Sequence, residues 1–139
     1  MKPKAVKYFT VFVFGGLAYA GLELIWRSYT HWTMAVTGGV CAALLYYVSR
    51  HCKSISLISR ALIGCAFITL AELAVGLAVN RYFDWQVWDY SHIPFNFMGQ
   101  ICLAYSSLWF LLCIPVLYFL PRIEKRIPGK GTRKEKRAG

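Results

Sequence analysis

The sequence predicts an all-α integral membrane protein with four transmembrane helices and both termini in the cytoplasm. Of its 139 residues, 58% are hydrophobic and only 16% are charged. An ordinary soluble domain has about 45–50% apolar and about 25% charged residues. A chain this short cannot bury so much apolar surface in a soluble core. This composition excludes a soluble enzyme and a secreted disulfide scaffold.

The apolar residues form four long stretches, at 8–26, 32–48, 57–79 and 97–120. At a helical rise of about 1.5 Å per residue, they span roughly 25–36 Å, which brackets the hydrocarbon core of about 30 Å. A backbone in lipid must satisfy its own hydrogen bonds, so we expect α-helices. The shortest stretch contains Gly38 and Gly39, which should let a neighbouring helix approach closely.

The positive charges indicate the orientation of these helices. Of the 16 lysines and arginines, only Arg27 and Arg81 lie outside the N-terminus, the second connection and the C-terminal region. The positive-inside rule therefore places both termini in the cytoplasm. An even number of membrane-spanning helices likewise requires both termini to lie on the same side of the membrane. Glu23 directly follows the uncharged part of the first apolar stretch, residues 8–22, and no small-x-small cleavage site directly follows that part, so we do not expect a cleaved signal peptide.

The chain divides into a four-helix transmembrane domain, residues 1–121, and a basic cytoplasmic tail, residues 122–139. Much of the net charge of +10 lies in this tail. We interpret it as a solvated segment that fixes topology and touches anionic lipid. We do not expect nucleic-acid binding, because no aromatic residue in the tail is available to stack on bases.

Polar residues concentrate in the outer half of the predicted bundle. An ionisable group in hydrocarbon costs at least about 2.5–3.5 kcal/mol, so it normally faces a partner or a wet cavity. The sequence thus predicts an outward-facing acidic or polar pocket that binds a cation or another small solute. Its candidate residues are Glu23, Arg27, Glu72, Arg81, Asp89, Asn96 and Gln100. Two structural alternatives stay open, a local Glu23–Arg27 ion pair and an interhelical hydrogen bond at Glu72.

Helical spacing predicts which faces turn toward the bundle interior. Small and polar residues recur at i, i+4, i+7 and i+11 in three of the helices. These faces are Gly16, Ala20, Glu23 and Arg27 in the first helix, Cys65, Thr69, Glu72 and Gly76 in the third, and Asn96, Gln100, Leu103 and Ser107 in the fourth. Membrane helices commonly pack through such residues.

The outer connection, residues 80–96, is rich in aromatic residues and includes Asp84 and Asp89. One interpretation is an aromatic belt at the level of the lipid headgroups. The other is a lid folded over the mouth of the bundle, with both aspartates turned toward the polar layer. The sequence leaves these two interpretations open.

We expect no metal, cofactor or catalytic site. His31, His51 and His92 fall on three different connections, and the odd number of cysteines shows no C-x-x-C spacing. The cysteines are therefore expected to pack as small apolar residues. Asp89 with His92 could support an intramembrane hydrolase as a minor alternative, but no nucleophile with a base at recognisable spacing accompanies them.

Several motifs resemble the signature of a bacterial membrane family whose members are catalogued as ABC-transporter permeases. They are Glu72-Leu-x-x-Gly76, Val87-Trp-Asp-Tyr-Ser91, Pro94-Phe-Asn96, Gly99-Gln-Ile-Cys102 and Trp109. The second helix departs from the family's proline- and glycine-rich pattern. The resemblance implies a permease in the bacterial cytoplasmic membrane. The motif residues carried over are Glu72, Trp88, Asp89, Tyr90, Asn96, Gly99, Gln100 and Trp109.

Two functions remain as expectations. The first is a permease-like, non-enzymatic subunit that forms a homo-oligomer in the lipid bilayer. The sequence has no Gly-x-x-x-x-Gly-Lys-[Ser/Thr] loop, so a separate ATPase would have to hydrolyse the nucleotide. The second is a non-transporting partner or scaffold subunit, whose polar layer is structural and whose loop binds protein or lipid.

Overall fold

The computed structural model describes residues 3–126 as a bundle of four long helices. They are α1 (Pro3–Arg27), α2 (Trp32–His51), α3 (Leu57–Gly76) and α4 (Leu103–Arg126). The smaller elements are a π-helical segment (Leu77–Tyr82) that continues α3, and the antiparallel strands β1 (Asn96–Phe97) and β2 (Ile101–Cys102). All four helices are long and apolar enough to cross a membrane. The prediction of four such helices is confirmed.

Side-chain caps define the beginnings of α2 and α3. The His31 side chain accepts a hydrogen bond from the backbone N–H of Thr33, and Ser56 accepts one from Ser59. Such caps satisfy backbone donors that have no partner in the first turn of a helix. The connections before these two helices can therefore be short.

Glycines bring α1 and α2 into close contact. A Cβ atom on Gly16 would lie 2.5 Å from the carbonyl oxygen of Ala35, and one on Gly38 would lie 2.5 Å from the Cβ atom of Tyr19. Only glycine permits these distances, and small residues at such positions are typical of membrane helix pairs. The close approach predicted for the second helix is confirmed.

Two apolar clusters hold the bundle together. The larger lies where α2, α3 and α4 meet, and its buried residues are Cys41, Leu45, Val48, Ala61, Ile68, Cys113 and Leu117. The smaller lies beneath the outer connection and contains Met34, Val79, Val87 and Trp88. All five cysteines are free thiols. Cys41 and Cys113 pack as apolar residues in the larger cluster, as expected.

Glu124 joins three helices at one end of the bundle. Its Oε1 atom accepts hydrogen bonds from Lys7 Nζ at 2.9 Å, Arg50 Nη1 at 2.8 Å and the Tyr46 hydroxyl at 2.9 Å. The start of α1 therefore lies beside the ends of α2 and α4. This arrangement agrees with an even number of crossings, while the assignment of this end to the cytoplasm stays a prediction.

The fourth helix begins at Leu103, later than the sequence predicts. Asn96 and Gln100 belong to the hairpin before it, so they do not share a helical face with Leu103 and Ser107, and that prediction is wrong. Backbone conformation gives the reason, because Gly99 adopts a φ of +70° and its neighbour Met98 one of 54°. A right-handed helix requires negative φ.

Helix α4 also extends beyond the domain boundary predicted at residue 121. It contains Pro115 and Pro121 and ends at Arg126. Prolines are tolerated within membrane helices where the freed carbonyl finds other partners. Most of the predicted basic tail, residues 127–139, lies outside the residues that the structure describes.

Candidate functional site

The polar face predicted for α3 turns toward α4 and the hairpin. The Cys65 thiol donates to the carbonyl oxygen of Ser106 at 3.1 Å, and the hydroxyls of Thr69 and Ser106 lie 3.2 Å apart. Two turns beyond Thr69, Gly76 packs against Gln100. Glu72 lies between these contacts on the same face. The prediction for this helix is confirmed.

Glu72 is the buried acid at the centre of the site, with only 4% of its surface exposed. Its Oε2 atom accepts a hydrogen bond from Trp109 Nε1 at 3.1 Å, and its Oε1 atom accepts one from the Tyr90 hydroxyl at 3.0 Å. Within residues 3–126, no lysine or arginine forms a salt bridge with it. The carboxyl group is thus held by two neutral donors, one from α4 and one from the outer connection.

Tyr90 is held in place by a stacked ring and by the hydrogen bond of its hydroxyl to Glu72. It stacks on Tyr105, with ring centroids 4.7 Å apart and planes inclined by 8°. Burial raises the pKa of the Tyr90 phenol, and the nearby Glu72 carboxylate raises it further. The phenol therefore keeps its proton at neutral pH and donates a hydrogen bond to Glu72.

Tyr19 links this centre to the Glu23–Arg27 pair on α1. Its ring lies 5.8 Å from that of Trp109, and its hydroxyl donates to Glu23 Oε1 at 3.2 Å. Glu23 Oε2 and Arg27 Nη2 are 2.8 Å apart, one helical turn from each other. Glu23 and Arg27 therefore form the local ion pair that the sequence left open, and Tyr19 extends it toward Glu72.

The Val87-Trp88-Asp89-Tyr90 motif turns its two aromatic residues inward and its aspartate outward. Trp88 is 5% exposed, and its Nε1 donates to the carbonyl oxygen of Gln100 at 3.0 Å. The lid interpretation is therefore correct for this half of the connection, but the aspartates do not point inward as expected. This orientation is favourable because a tryptophan or tyrosine side chain buries a large apolar area while its N–H or O–H group forms a hydrogen bond. A buried aspartate, in contrast, would lose its hydration.

Asn80 is a structural residue that the sequence analysis missed. Its Oδ1 atom accepts from the backbone N–H of Val87 at 2.7 Å, and its Nδ2 donates to Gln100 Oε1 at 2.8 Å. It lies in the π-helical segment, a type of helix that often occurs at functional sites. The sequence feature that could have identified Asn80 is an amide side chain at the end of an apolar run. Buried Gln100 therefore fixes the outer connection rather than lining a solvent-filled pocket.

Asp89 and Asn96 shape the outer connection and do not join Glu72. Asp89 accepts hydrogen bonds from the backbone N–H and the hydroxyl of Ser91, both at 2.8 Å. These bonds hold the pKa of the exposed Asp89 carboxyl below its usual value. Asn96 donates to the carbonyl oxygen of Ile93 at 2.8 Å and accepts from the backbone N–H of Gly99 at 3.1 Å. The polar groups of both side chains are thus engaged in short-range hydrogen bonds.

Arg81 and the first half of the connection lie on the outside of the bundle. Arg81 and Asp84 are exposed, and Arg81, which the sequence places among the pocket residues, does not line the groove described below. Phe83 and Trp85 stack with centroids 4.9 Å apart, and His31 packs on Trp85 at 5.6 Å. These exposed aromatic side chains fit the belt interpretation. Each interpretation of the connection therefore describes one half of it.

A groove of about 520 Å³ is lined by residues of all four helices. Its walls include exposed side chains of Phe14, Ala18, Leu22 and Leu112, so it opens toward the side of the bundle. Of the seven predicted pocket residues, only Glu72 lines it. This groove is thus mostly apolar and lateral, whereas the sequence predicts a polar pocket facing outward.

Comparison with known proteins identifies the family. No solved structure matches the chain. The family described as "Putative ABC-transporter type IV" matches residues 7–133, a range that includes nearly all of the four helices and both halves of the outer connection. The predicted membership is confirmed, and the four apolar helices agree with it. This multi-pass membrane protein belongs to the family "Putative ABC-transporter type IV".

Proposed function

We propose that the chain is a permease-like subunit of a membrane transport system and that the groove beside Glu72 contacts the transported solute. One observation carries the proposal: a buried carboxyl group lies in the wall of a groove to which all four helices contribute. Ionisable residues inside membrane bundles commonly mark solute or ion pathways. Family membership supports the same assignment.

The subunit acts in an assembly. Its groove opens sideways, so a second copy of the chain would be needed to cover it, and we propose a homo-oligomer in the cytoplasmic membrane. A separate ATPase supplies the energy, since the 139 residues lack a phosphate-binding loop. It docks at the bundle end that carries Glu124, Arg50 and the connection between α2 and α3. The subunit binds solute and does not itself catalyse a reaction.

The second candidate is a scaffold subunit without transport. It is favoured by the hydrogen bonds among Asn80, Gln100 and Trp88, which are satisfied without any ligand. In this case the exposed aromatic side chains around Trp85 would bind another protein or lipid. Glu72 would then stabilise helix packing only.

Purification of the full chain from native membranes in mild detergent tests the assembly. We expect an ATPase subunit to co-purify reproducibly and to remain bound through size-exclusion chromatography. The same preparation of an unrelated four-helix membrane protein serves as the control. Reproducible isolation of the chain without any ATPase would overturn the assignment to an ABC system.

Transport by inverted membrane vesicles separates the two candidates. Glu72→Gln is compared with Asp84→Asn, which changes an exposed carboxyl group on the outer connection that does not line the groove. A transport subunit should lose ATP-dependent flux of cationic solutes with Glu72→Gln and retain it with Asp84→Asn. If both variants keep full flux while Glu72→Gln lowers only the thermal stability, the scaffold is the correct function.

A further inference from the structure

We infer that the groove binds a drug-sized, apolar organic cation, with the positive charge beside Glu72 and the apolar body between α1 and α4. This inference rests on the proposed function, because it names the class of solute for the same groove. Three properties of the groove carry it: an acid that pairs with no lysine or arginine of residues 3–126, aromatic walls beside that acid, and an apolar remainder.

The first property is that no lysine or arginine in the described part of the chain forms a salt bridge with Glu72. Both of its oxygen atoms accept hydrogen bonds, but the donors are the neutral groups of Tyr90 and Trp109. Arg27 is already engaged by Glu23 at 2.8 Å. A buried carboxylate without a countercharge is costly in a medium of low dielectric constant. A cation in the groove would supply the missing charge at a position already shielded from water.

The second property is the aromatic wall around the acid. Tyr19, Trp88 and Trp109 line the groove together with Glu72. The rings of Tyr19 and Trp109 are inclined at 45° to each other, with centroids 5.8 Å apart. Aromatic faces attract cations within about 6 Å, most strongly when water is excluded, and quaternary ammonium groups are recognised in this way. The combination of carboxylate and indole rings favours an organic cation.

The oxygen atoms of the groove argue against an inorganic cation. A hard metal ion requires about six oxygen ligands. Among the described residues that line the groove, the side-chain oxygen atoms other than those of Glu72 and Tyr19 belong to Thr10 and Thr37. Each of these donates back to its own helix, to Val6 at 2.9 Å and to Thr33 at 2.7 Å. The groove therefore cannot replace the hydration shell of a metal ion.

The third property is the apolar remainder of the groove. From Glu72 toward the Glu124 end, its walls are formed by apolar side chains such as Val11, Phe14 and Val116. The volume of about 520 Å³ falls within the range of pockets that bury drug-sized ligands, about 300–1,000 Å³. A sugar or a zwitterion would leave polar groups unpaired on these walls. The ligand must therefore be apolar outside its single charged centre.

Equilibrium binding of radiolabelled tetraphenylphosphonium to the full chain in zwitterionic nanodiscs tests the inference, with empty nanodiscs subtracted. Tetraphenylborate, which has nearly the same shape and the opposite charge, is the matched competitor. We expect saturable binding that unlabelled tetraphenylphosphonium displaces and tetraphenylborate does not. Glu72→Gln should raise the Kd by about tenfold to a hundredfold, the range expected for one charged contact.

A second variant keeps the test valid if Glu72→Gln does not fold. Ala18 lines the groove with an exposed side chain, away from the hydrogen bonds of Glu72. Ala18→Trp should fill the groove and abolish binding, while Ala66→Trp, at an exposed position outside the groove, should leave binding unchanged. Circular dichroism and size-exclusion chromatography verify the fold of each variant.

Absence of saturable binding to folded wild-type protein would overturn the inference, and so would equal competition by tetraphenylborate or unchanged binding to the folded Ala18→Trp variant. These outcomes are independent of ATPase co-purification. If tetraphenylphosphonium does not bind while the ATPase co-purifies, the inferred class of solute is wrong and the proposed transport assembly is supported. If binding succeeds without any ATPase, the binding site stands and the ABC assignment is wrong.

Discussion

The indole nitrogen of Trp109 donates a hydrogen bond to Glu72 Oε2 over 3.1 Å, and this bond joins α4 to α3 in the middle of the bundle. Its position explains why an acid can be buried there. A carboxylate in hydrocarbon needs donors with fixed positions, and a tryptophan on a rigid helix supplies one without adding a charge. The outer connection supplies the second donor through Tyr90.

Replacing Trp109 tests how much this bond contributes to stability. Trp109→Phe keeps an aromatic ring but removes the donor, so we expect the free energy of unfolding to fall by about 1–2 kcal/mol. The measurement is denaturant-induced unfolding in detergent micelles, followed by far-UV circular dichroism. Trp26→Phe is the control because Trp26 is 69% exposed, and it should change stability by less than about 0.5 kcal/mol. Equal losses in both variants would contradict the role of the bond.

Two glycines of α1 form a matched pair for testing the contact with α2. A methyl group on Gly16 would collide with the carbonyl oxygen of Ala35, whereas one on Gly21 meets no atom within 4 Å. Gly16→Ala should therefore destabilise the bundle by about 1–3 kcal/mol through overpacking. Gly21→Ala should be neutral or stabilising by up to about 1 kcal/mol, since alanine favours the helix. Thermal unfolding of both variants in the same detergent checks this, and a stable Gly16→Ala protein would show that the helices are not in close contact.

The hydrogen bonds of Asp89 predict a dependence on pH. Because the pKa of Asp89 is lowered in the folded chain, its contribution to stability is fully present above the ordinary aspartate pKa of about 3.9 and is lost as the pH falls through the lower folded value. The difference in melting temperature between wild type and Asp89→Ala should therefore be constant from about pH 7 to 5 and decrease below about pH 4.

Asp84→Asn is the control for this pH series, because Asp84 is exposed on the same connection and accepts a long hydrogen bond from Gln86 at 3.5 Å. Asparagine also tolerates the φ of 53° at this position better than alanine does. This variant should lower the melting temperature less than Asp89→Ala at neutral pH. A difference for Asp89→Ala that persists unchanged to pH 3 would show that the turn with Ser91 does not depend on a charged carboxylate.

The orientation predicted from the positive charges can be tested with single cysteines. Ser54→Cys lies in the exposed connection between α2 and α3, and Gln86→Cys lies in the exposed outer connection. Both are made in a background whose five native cysteines are replaced by alanine. A membrane-impermeant maleimide should label Gln86→Cys in intact cells and label Ser54→Cys only after permeabilisation. The reverse pattern would place both termini outside the cytoplasm.

The sequence alone could predict the helices and one interior face. Hydrocarbon leaves a spanning backbone no other way to satisfy its hydrogen bonds, so apolar length is enough to place four helices. On α3, the spacing of Cys65, Thr69, Glu72 and Gly76 depends only on helical geometry. It correctly placed these residues against α4 and the hairpin.

The hairpin before α4 could not be predicted in the same way. Residues 97–102 are as apolar as the helix that follows, so composition does not separate them. The positive φ values at Phe95, Met98 and Gly99 are imposed by contacts from elsewhere in the chain, such as the hydrogen bond from Tyr90 N to the carbonyl oxygen of Gly99 at 2.8 Å. The local sequence pattern does not indicate which residues will form these hydrogen bonds.

The sequence by itself determined that the chain has four membrane-spanning helices, that α3 carries an inward polar face, and that Glu72 lies on that face. Only the tertiary structure decided which polar residues meet. In the folded chain, Glu72 accepts hydrogen bonds from Tyr90 and Trp109, whereas Asp89 and Asn96 form hydrogen bonds within local turns. An apolar groove lies between α1 and α4. Helical period specifies a direction around one axis, whereas the meeting of side chains from three separate elements depends on how the chain packs in three dimensions.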